Sequence, residues 1–146
     1  MPADIFVDTN ILVYAHDRDS GDKHTAARSR LRELWEADDV PWVSVQVLQE
    51  FFVNLCRLGV PLIEARDTLT DYARWNVIPN TVDLCAQGIT EMERWRVSFW
   101  DALILAAARK AGAATLWSED FNPGQDYGGI RVINPLEISG QVMRAE

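Results

Sequence analysis

Four acidic residues stand where a fold could collect them. Asp8 ends the short apolar run that opens the chain, Glu50 lies among Val47, Leu48, Phe51, Phe52 and Leu55, Asp101 heads the stretch ALILAAA, and Asp120 follows the apolar run that ends at Ser118. Each has an ordinary structural explanation when taken by itself. Asp8 is placed to cap the next helix, and Glu50 is a helix acid at the margin of an apolar face. Asp101 forms an S-x-x-D capping box with Ser98, and Asp120 is a turn aspartate. The joint pattern is what discriminates. Carboxylates converging at one end of a parallel sheet repel one another unless a hard divalent cation sits between them. Oxygen donors alone favour magnesium or manganese. The two histidines, His16 and His24, and the two cysteines, Cys56 and Cys85, lie outside these stretches, so zinc and copper would be poorly served. A cation held by carboxylates aligns a water with a phosphodiester and stabilises the charge on the departing oxygen. Phosphodiester hydrolysis is the chemistry this set points to.

The elements that must position these acids alternate between short strands and helices. Residues 4–8 read as a buried strand, and TNILVYAH then turns helical with Thr9 or Asn10 as the cap. A second helix covers residues 23–37, with Ala27, Leu31, Leu34 and Trp35 at helical spacing. Pro41 opens the strand PWVSV, and a helix from Gln46 stops at Gly59. Further helices are expected over residues 61–75, 82–94 and 98–112, the second of these in spite of Gly88 in its interior. Strands are expected over residues 76–78, 114–118 and 131–134. The segment from Ala102 to Ala108 is apolar on every face, so it must be packed on nearly all sides, with Ile104, Leu105 and Ala108 continuing the face below Asp101. Such alternation predicts an α/β fold with a mostly parallel sheet of about five strands covered on both faces. Ligands in these folds bind beyond the carboxyl ends of the strands, where Asp8, Ser118 and Asp120 fall.

Composition sets the outer limits. The chain has 146 residues, 48% apolar and 25% charged, which predicts one soluble domain over 1–146. Its longest stretch without a charged residue, residues 40–49, is too short to span a membrane. With no basic, apolar leader at the start, a cytoplasmic location is expected. Cys56 and Cys85 are expected to be buried thiols. The net charge of −8 is low for a protein that grips nucleic acid, though a bound cation would offset part of it. Arg28, Arg30, Arg32, Arg94 and Arg96 are the candidates for local grip, each with surface solvation as the simpler explanation. Trp35, Trp75, Trp95 and Trp117 are expected in core or dimer packing rather than in base stacking.

The string FVDTNILVYA resembles the opening of the PIN domain: an apolar strand, Asp, Thr or Ser, Asn, then an apolar helix. LQEFF resembles the family's helical Glu, SFWDALILAAA its Asp-led buried helix, LWSEDF its strand ending in Ser or Thr with Asp two positions on, and RVINP its closing strand. Together these cover residues 4–135 in the family's order. The resemblance implies a three-layer α/β/α sandwich and a magnesium-dependent ribonuclease, with Mn2+ as an alternative ion. Asp8, Glu50, Asp101 and Asp120 then match the metal-holding acids, and Asn10 and Ser118 the polar residues that support them. In size and motif style the chain is similar to the VapC-type toxins, which implies an RNA substrate, a small cognate antitoxin and a homodimer. One position departs from the pattern of some members. Asn122 stands where they carry a further acid, which leaves the number of ions open. The alternatives are a PIN nuclease of RNA processing and a non-catalytic PIN fold that only binds. A phospho-receiver domain would need a lysine after its last strand, and neither Lys23 nor Lys110 follows one. A Rossmann domain would need a glycine spacing that the eight glycines do not supply.

Overall fold

The computed structural model describes residues 4–137. Five three-residue strands form one parallel sheet: β1 (Ile5–Val7), β2 (Trp42–Ser44), β3 (Asn76–Ile78), β4 (Thr115–Trp117) and β5 (Arg131–Ile133). Their order across the sheet is β3-β2-β1-β4-β5. The helices are α1 (Thr9–His16), α2 (Asp22–Glu36), α3 (Val45–Arg57), α4 (Leu62–Tyr72), α5 (Val82–Trp95) and α6 (Phe99–Ala111). From β1 the chain steps outward through β2 to β3, then returns past both to β4. The helices pack as two groups, α1–α4 and α5–α6, which the right-handed rule for parallel crossovers assigns to opposite faces of this strand order, giving the three-layer α/β/α architecture expected. The centre of the sheet is buried on both faces, where Phe6, Val7, Val43, Leu116 and Val132 are wholly enclosed.

Local chemistry sets the boundaries. Ser44, Thr81 and Ser98 cap α3, α5 and α6 by accepting from the backbone N–H three residues on, at 3.3, 3.0 and 3.1 Å. Gly112, at φ 75°, closes α6 in the left-handed conformation that glycine adopts without strain. All of Ala102–Ala108 is buried, as its uninterrupted apolar character requires. Gly88 has a packing reason for its place inside α5. A Cβ there would meet Leu103 Cδ2 at 2.7 Å, so its absence lets α5 and α6 approach closely.

Several expectations are corrected. Of the caps offered for α1, Asp8 fills the role, its Oδ1 accepting from the Thr9 N–H at 2.7 Å, and Thr9 and Asn10 lie inside the helix. Helix α4 ends at Tyr72, since the chain then turns, with the Arg74 and Trp75 N–H groups donating to the Asp71 and Tyr72 carbonyls and Trp75 packed on Trp35 and Tyr72. A single 3-10 turn, Arg18–Ser20, occupies the acidic segment before α2. Cys56 and Cys85 are exposed, because they fall on the outer faces of α3 and α5. Trp75 and Trp117 are buried and Trp95 is half-buried, but Trp35 remains partly exposed beside Tyr72 and Trp75. Trp100, 63% exposed, is the tryptophan least explained by packing.

Candidate active site

The sheet order reverses between β1 and β4, the switch point beyond whose carboxyl ends ligands bind in open α/β sheets. Asp8 leaves β1 there and Ser118 leaves β4. The Asp8 N–H donates to the Trp117 carbonyl at 3.0 Å, and Ser118 Oγ donates to Asp8 Oδ2 at 2.8 Å. With Oδ1 accepting from Thr9 N–H, the buried Asp8 carboxylate is fixed on both oxygens. Ser118 Oγ also accepts from the Asp120 N–H at 3.0 Å and thereby shapes the turn that presents Asp120. Asn10, the second residue of α1, donates through Nδ2 to Asp120 Oδ2 at 3.0 Å and accepts from the Glu119 N–H at 3.3 Å. A short polar network thus joins the start of α1 to the turn after β4.

Glu50 reaches this network from α3. Thr9 Oγ1 donates to its Oε1 at 2.7 Å and Gln46 Nε2 to its Oε2 at 3.2 Å. Gln46 Nε2 also donates to the Trp100 carbonyl at 3.3 Å, tying α3 to the residue before Asp101. Burial pushes the Asp8 carboxyl up to about 7, against the pull of Ser118 and Thr9, and the charges of Asp120 and Glu50 push the same way. The half-buried Asp101 carboxyl is also raised, by desolvation first and then by Asp120, with Ser98 opposing and Glu50 adding. Asp8 and Asp101 therefore both feel Asp120 and Glu50: the four acids share one electrostatic neighbourhood.

Three residues of this network stand outside the candidate set read from sequence. Thr9 lies inside the motif that pointed to Asp8 and Asn10, so its place was available to local reading. Gln46 offered a weaker sign, a polar side chain in the first turn of an otherwise apolar helix face. Glu119 offered none. Its carboxylate accepts from Tyr14 Oη at 2.6 Å and from Lys23 Nζ at 3.0 Å, contacts made across about a hundred residues. Asn122 is turned into its own loop, donating to Gln125 at 2.8 Å. Among the candidate arginines, Arg94 lies over the Trp95 ring and against Gly128, beside Arg109 at the end of α6 opposite to Asp101. Arg30 lies over the Trp117 ring, Arg28 and Arg32 line hollows beside Ala15 and His16, and Arg96 closes α5 at φ 58°. Among the described residues, none of these five forms a hydrogen bond or ion pair with the acid cluster.

The sequence profile of the PIN domain matches residues 5–123. The chain belongs to the PIN domain family. Solved PIN-like structures share its fold. A toxin–antitoxin complex from Klebsiella pneumoniae aligns at TM-score 0.65 and 22% identity, covering 90% of this chain and 97% of that one. VapC20 of Mycobacterium tuberculosis, described as a Sarcin-Ricin loop cleaving toxin, aligns at 0.61 and 25%, covering 80% and 89%. VapBC2 of Rickettsia felis, bound to a promoter DNA fragment, aligns at 0.56 and 21%, covering 80% and 87%. No curated protein matches.

The donor chemistry of this PIN domain fits a hard divalent cation. Four carboxylates share one field, two of them raised by burial and then by their acidic neighbours, and among the described residues no His or Cys side chain joins them. Among the described residues no three His, Cys, Asp or Glu side chains are close enough to enclose an ion directly. Magnesium, which keeps several waters in its shell, suits such an open set.

Proposed function

We propose that the chain is a magnesium- or manganese-dependent endoribonuclease, the toxin of a toxin–antitoxin pair, formed by one PIN unit over residues 1–146. The shared electrostatic neighbourhood of Asp8, Glu50, Asp101 and Asp120 beyond the carboxyl ends of β1 and β4 carries this reading. The toxin assignment is supported by the likeness to VapC20 and to toxin–antitoxin complexes. It brings with it a small cognate antitoxin and a homodimer in the cytoplasm. Among the described residues no helix is long and apolar enough to cross a membrane.

Asp8, Glu50, Asp101 and Asp120 would hold the ion, which when bound lowers the pKa of water and stabilises charge on the phosphoryl oxygens. The remaining work belongs to the chain. Ser118 and the Thr9 N–H hold the Asp8 carboxylate in one orientation. Asn10 restrains Asp120, while Thr9 and Gln46 orient Glu50 toward the same space. Such preorganisation removes reorganisation from the chemical step. Neither His16 nor His24 belongs to the cluster. His16 bonds to Tyr72 at 3.0 Å and His24 to the Tyr14 carbonyl at 2.9 Å, so a histidine pair acting through the RNA 2′-hydroxyl is not provided here.

End-group analysis of a cleaved RNA tests the chemistry. We expect 5′-phosphate and free 3′-hydroxyl ends, loss of activity in chelator, return with magnesium or manganese, and weak support by calcium. Asp8→Asn and Asp101→Asn should each lose nearly all cleavage while remaining folded. Cyclic phosphate ends, or full activity in chelator, would overturn the reading. Expression should arrest growth of a susceptible host, and co-expression of an adjacent small gene should relieve it. Normal growth in the presence of soluble, RNA-cleaving protein would remove the toxin role and leave the nuclease.

A further inference from the structure

We infer that Lys23 is a substrate-contacting residue: its ammonium, held beside the acid cluster by Glu119 and Tyr14, binds a phosphate of the RNA strand next to the one being cut. The inference rests on the nuclease reading above. A site of four carboxylates in a chain of net charge −8 repels a polyanion, so a cation fixed near it matters more than one elsewhere on the surface. Lys23 is the cation that the described structure joins to the site. Its Nζ donates to Glu119 Oε2 at 3.0 Å and to Tyr14 Oη at 3.4 Å, and lies 4.9 Å from the centre of the Tyr14 ring. Glu119 stands between Ser118 and Asp120, and its own N–H donates to Asn10, so these contacts tether the ammonium one residue from two members of the site.

Chemistry and exposure both suit a phosphate. An ammonium has three N–H donors, and only two have acceptors among the described residues. The Lys23 side chain is 49% exposed, while Glu119 is only 21% exposed beneath it, so the carboxylate serves as an anchor and the cation faces outward. Tyr14 Oη donates to Glu119 at 2.6 Å and holds that anchor even when Lys23 moves to a ligand. The arginines that sequence alone offered for this role have other neighbours: Arg94 lies at the far end of α6, and Arg30 lies on Trp117.

The salt dependence of binding separates a phosphate contact from a structural ion pair. The parent for the test is the Asp101→Asn protein, which should bind RNA without cutting it, titrated with a short labelled single-stranded RNA of mixed sequence at several salt concentrations. Adding Lys23→Gln should weaken binding severalfold at low salt and reduce the slope of log affinity against log salt by about 0.7, the value for one phosphate contact on a single strand. Lys23→Arg should restore the slope. A purely structural role would lower the melting temperature and leave the slope unchanged. An unchanged slope in a protein that binds and, with Asp101 intact, cleaves RNA would overturn the Lys23 contact alone. Absence of both RNA binding and cleavage would overturn the nuclease reading and the contact with it.

Discussion

Asp8 combines two roles in one carboxylate. It caps α1 through the Thr9 N–H, a structural duty, and it lies buried at the centre of the acid cluster. Between its ordinary value of 3.8 and the raised value of about 7, the folded chain keeps a proton on Asp8 that the unfolded chain has lost. The ion-free protein should therefore lose stability as pH rises through that window, with Asp8 contributing most at its acid end. Thermal melts in chelator across pH 4–8 check this, and Asp8→Asn should flatten the profile. The same reasoning applies to Asp101, raised by burial and by Asp120 and Glu50. Ion-free Asp101→Asn should be at least as stable as the parent at neutral pH, because a repelled charge is removed while the Ser98 cap on the backbone N–H stays in place. A loss of about 1 kcal/mol would instead mark the carboxylate as a helix-dipole partner. At this scale, sequence reading located the acids because Asp8 and Asp120 follow strands, Asp101 heads a helix and Glu50 marks the margin of an apolar helix face, places that local pattern identifies. It did not locate Gln46, which joins Glu50 one turn on to the Trp100 carbonyl 54 residues away, or Glu119, whose side-chain partners are roughly a hundred residues away.

Helices α5 and α6 are joined by an ion pair on the side of the molecule away from the acids. Arg109 donates through Nε and Nη2 to the Glu91 carboxylate, and through Nη1 and Nη2 to the Gly128 and Tyr127 carbonyls at 2.9 Å. Glu91, with a side chain only 8% exposed, also accepts from Trp95 Nε1 at 2.9 Å. The pair therefore fixes α5, α6 and the long β4–β5 connection together. Arg109→Met should lower unfolding stability by about 3 kcal/mol, since it leaves a buried carboxylate without its main partner. Adding Glu91→Leu should recover most of that loss, as denaturant melts of the single and double variants would show. Element types and order were legible because α3 carries strong apolar periodicity, α6 is apolar on every face over residues 102–108, and the strands are short apolar runs. The boundaries moved where capping decided them: Asp8 took the cap of α1, and Ser44 started α3 a residue early. The outward faces of α3 and α5, which carry Cys56 and Cys85, depend on packing partners distant in the chain.

For the molecule as a whole, charge and metal binding are one problem. An ion that binds the folded site and not the unfolded chain should stabilise the protein by about 2.7 kcal/mol at a free concentration near one hundred times its Kd. Manganese should therefore raise the melting temperature by several degrees and chelator reverse it. In the protein carrying both Asp8→Asn and Asp101→Asn the shift should be largely lost. The sheet order has a further consequence for how the cluster comes into being. With β1 at the centre and β4 beside it, the cluster spans two neighbouring strands made about a hundred residues apart. A growing chain holds Asp8 and Glu50 well before Ser118 and Asp120 are made. The enclosure of Asp8 by Ser118 closes only after β4 has been translated and docked beside β1, so the cluster assembles late, from parts that the chain has carried separately until then.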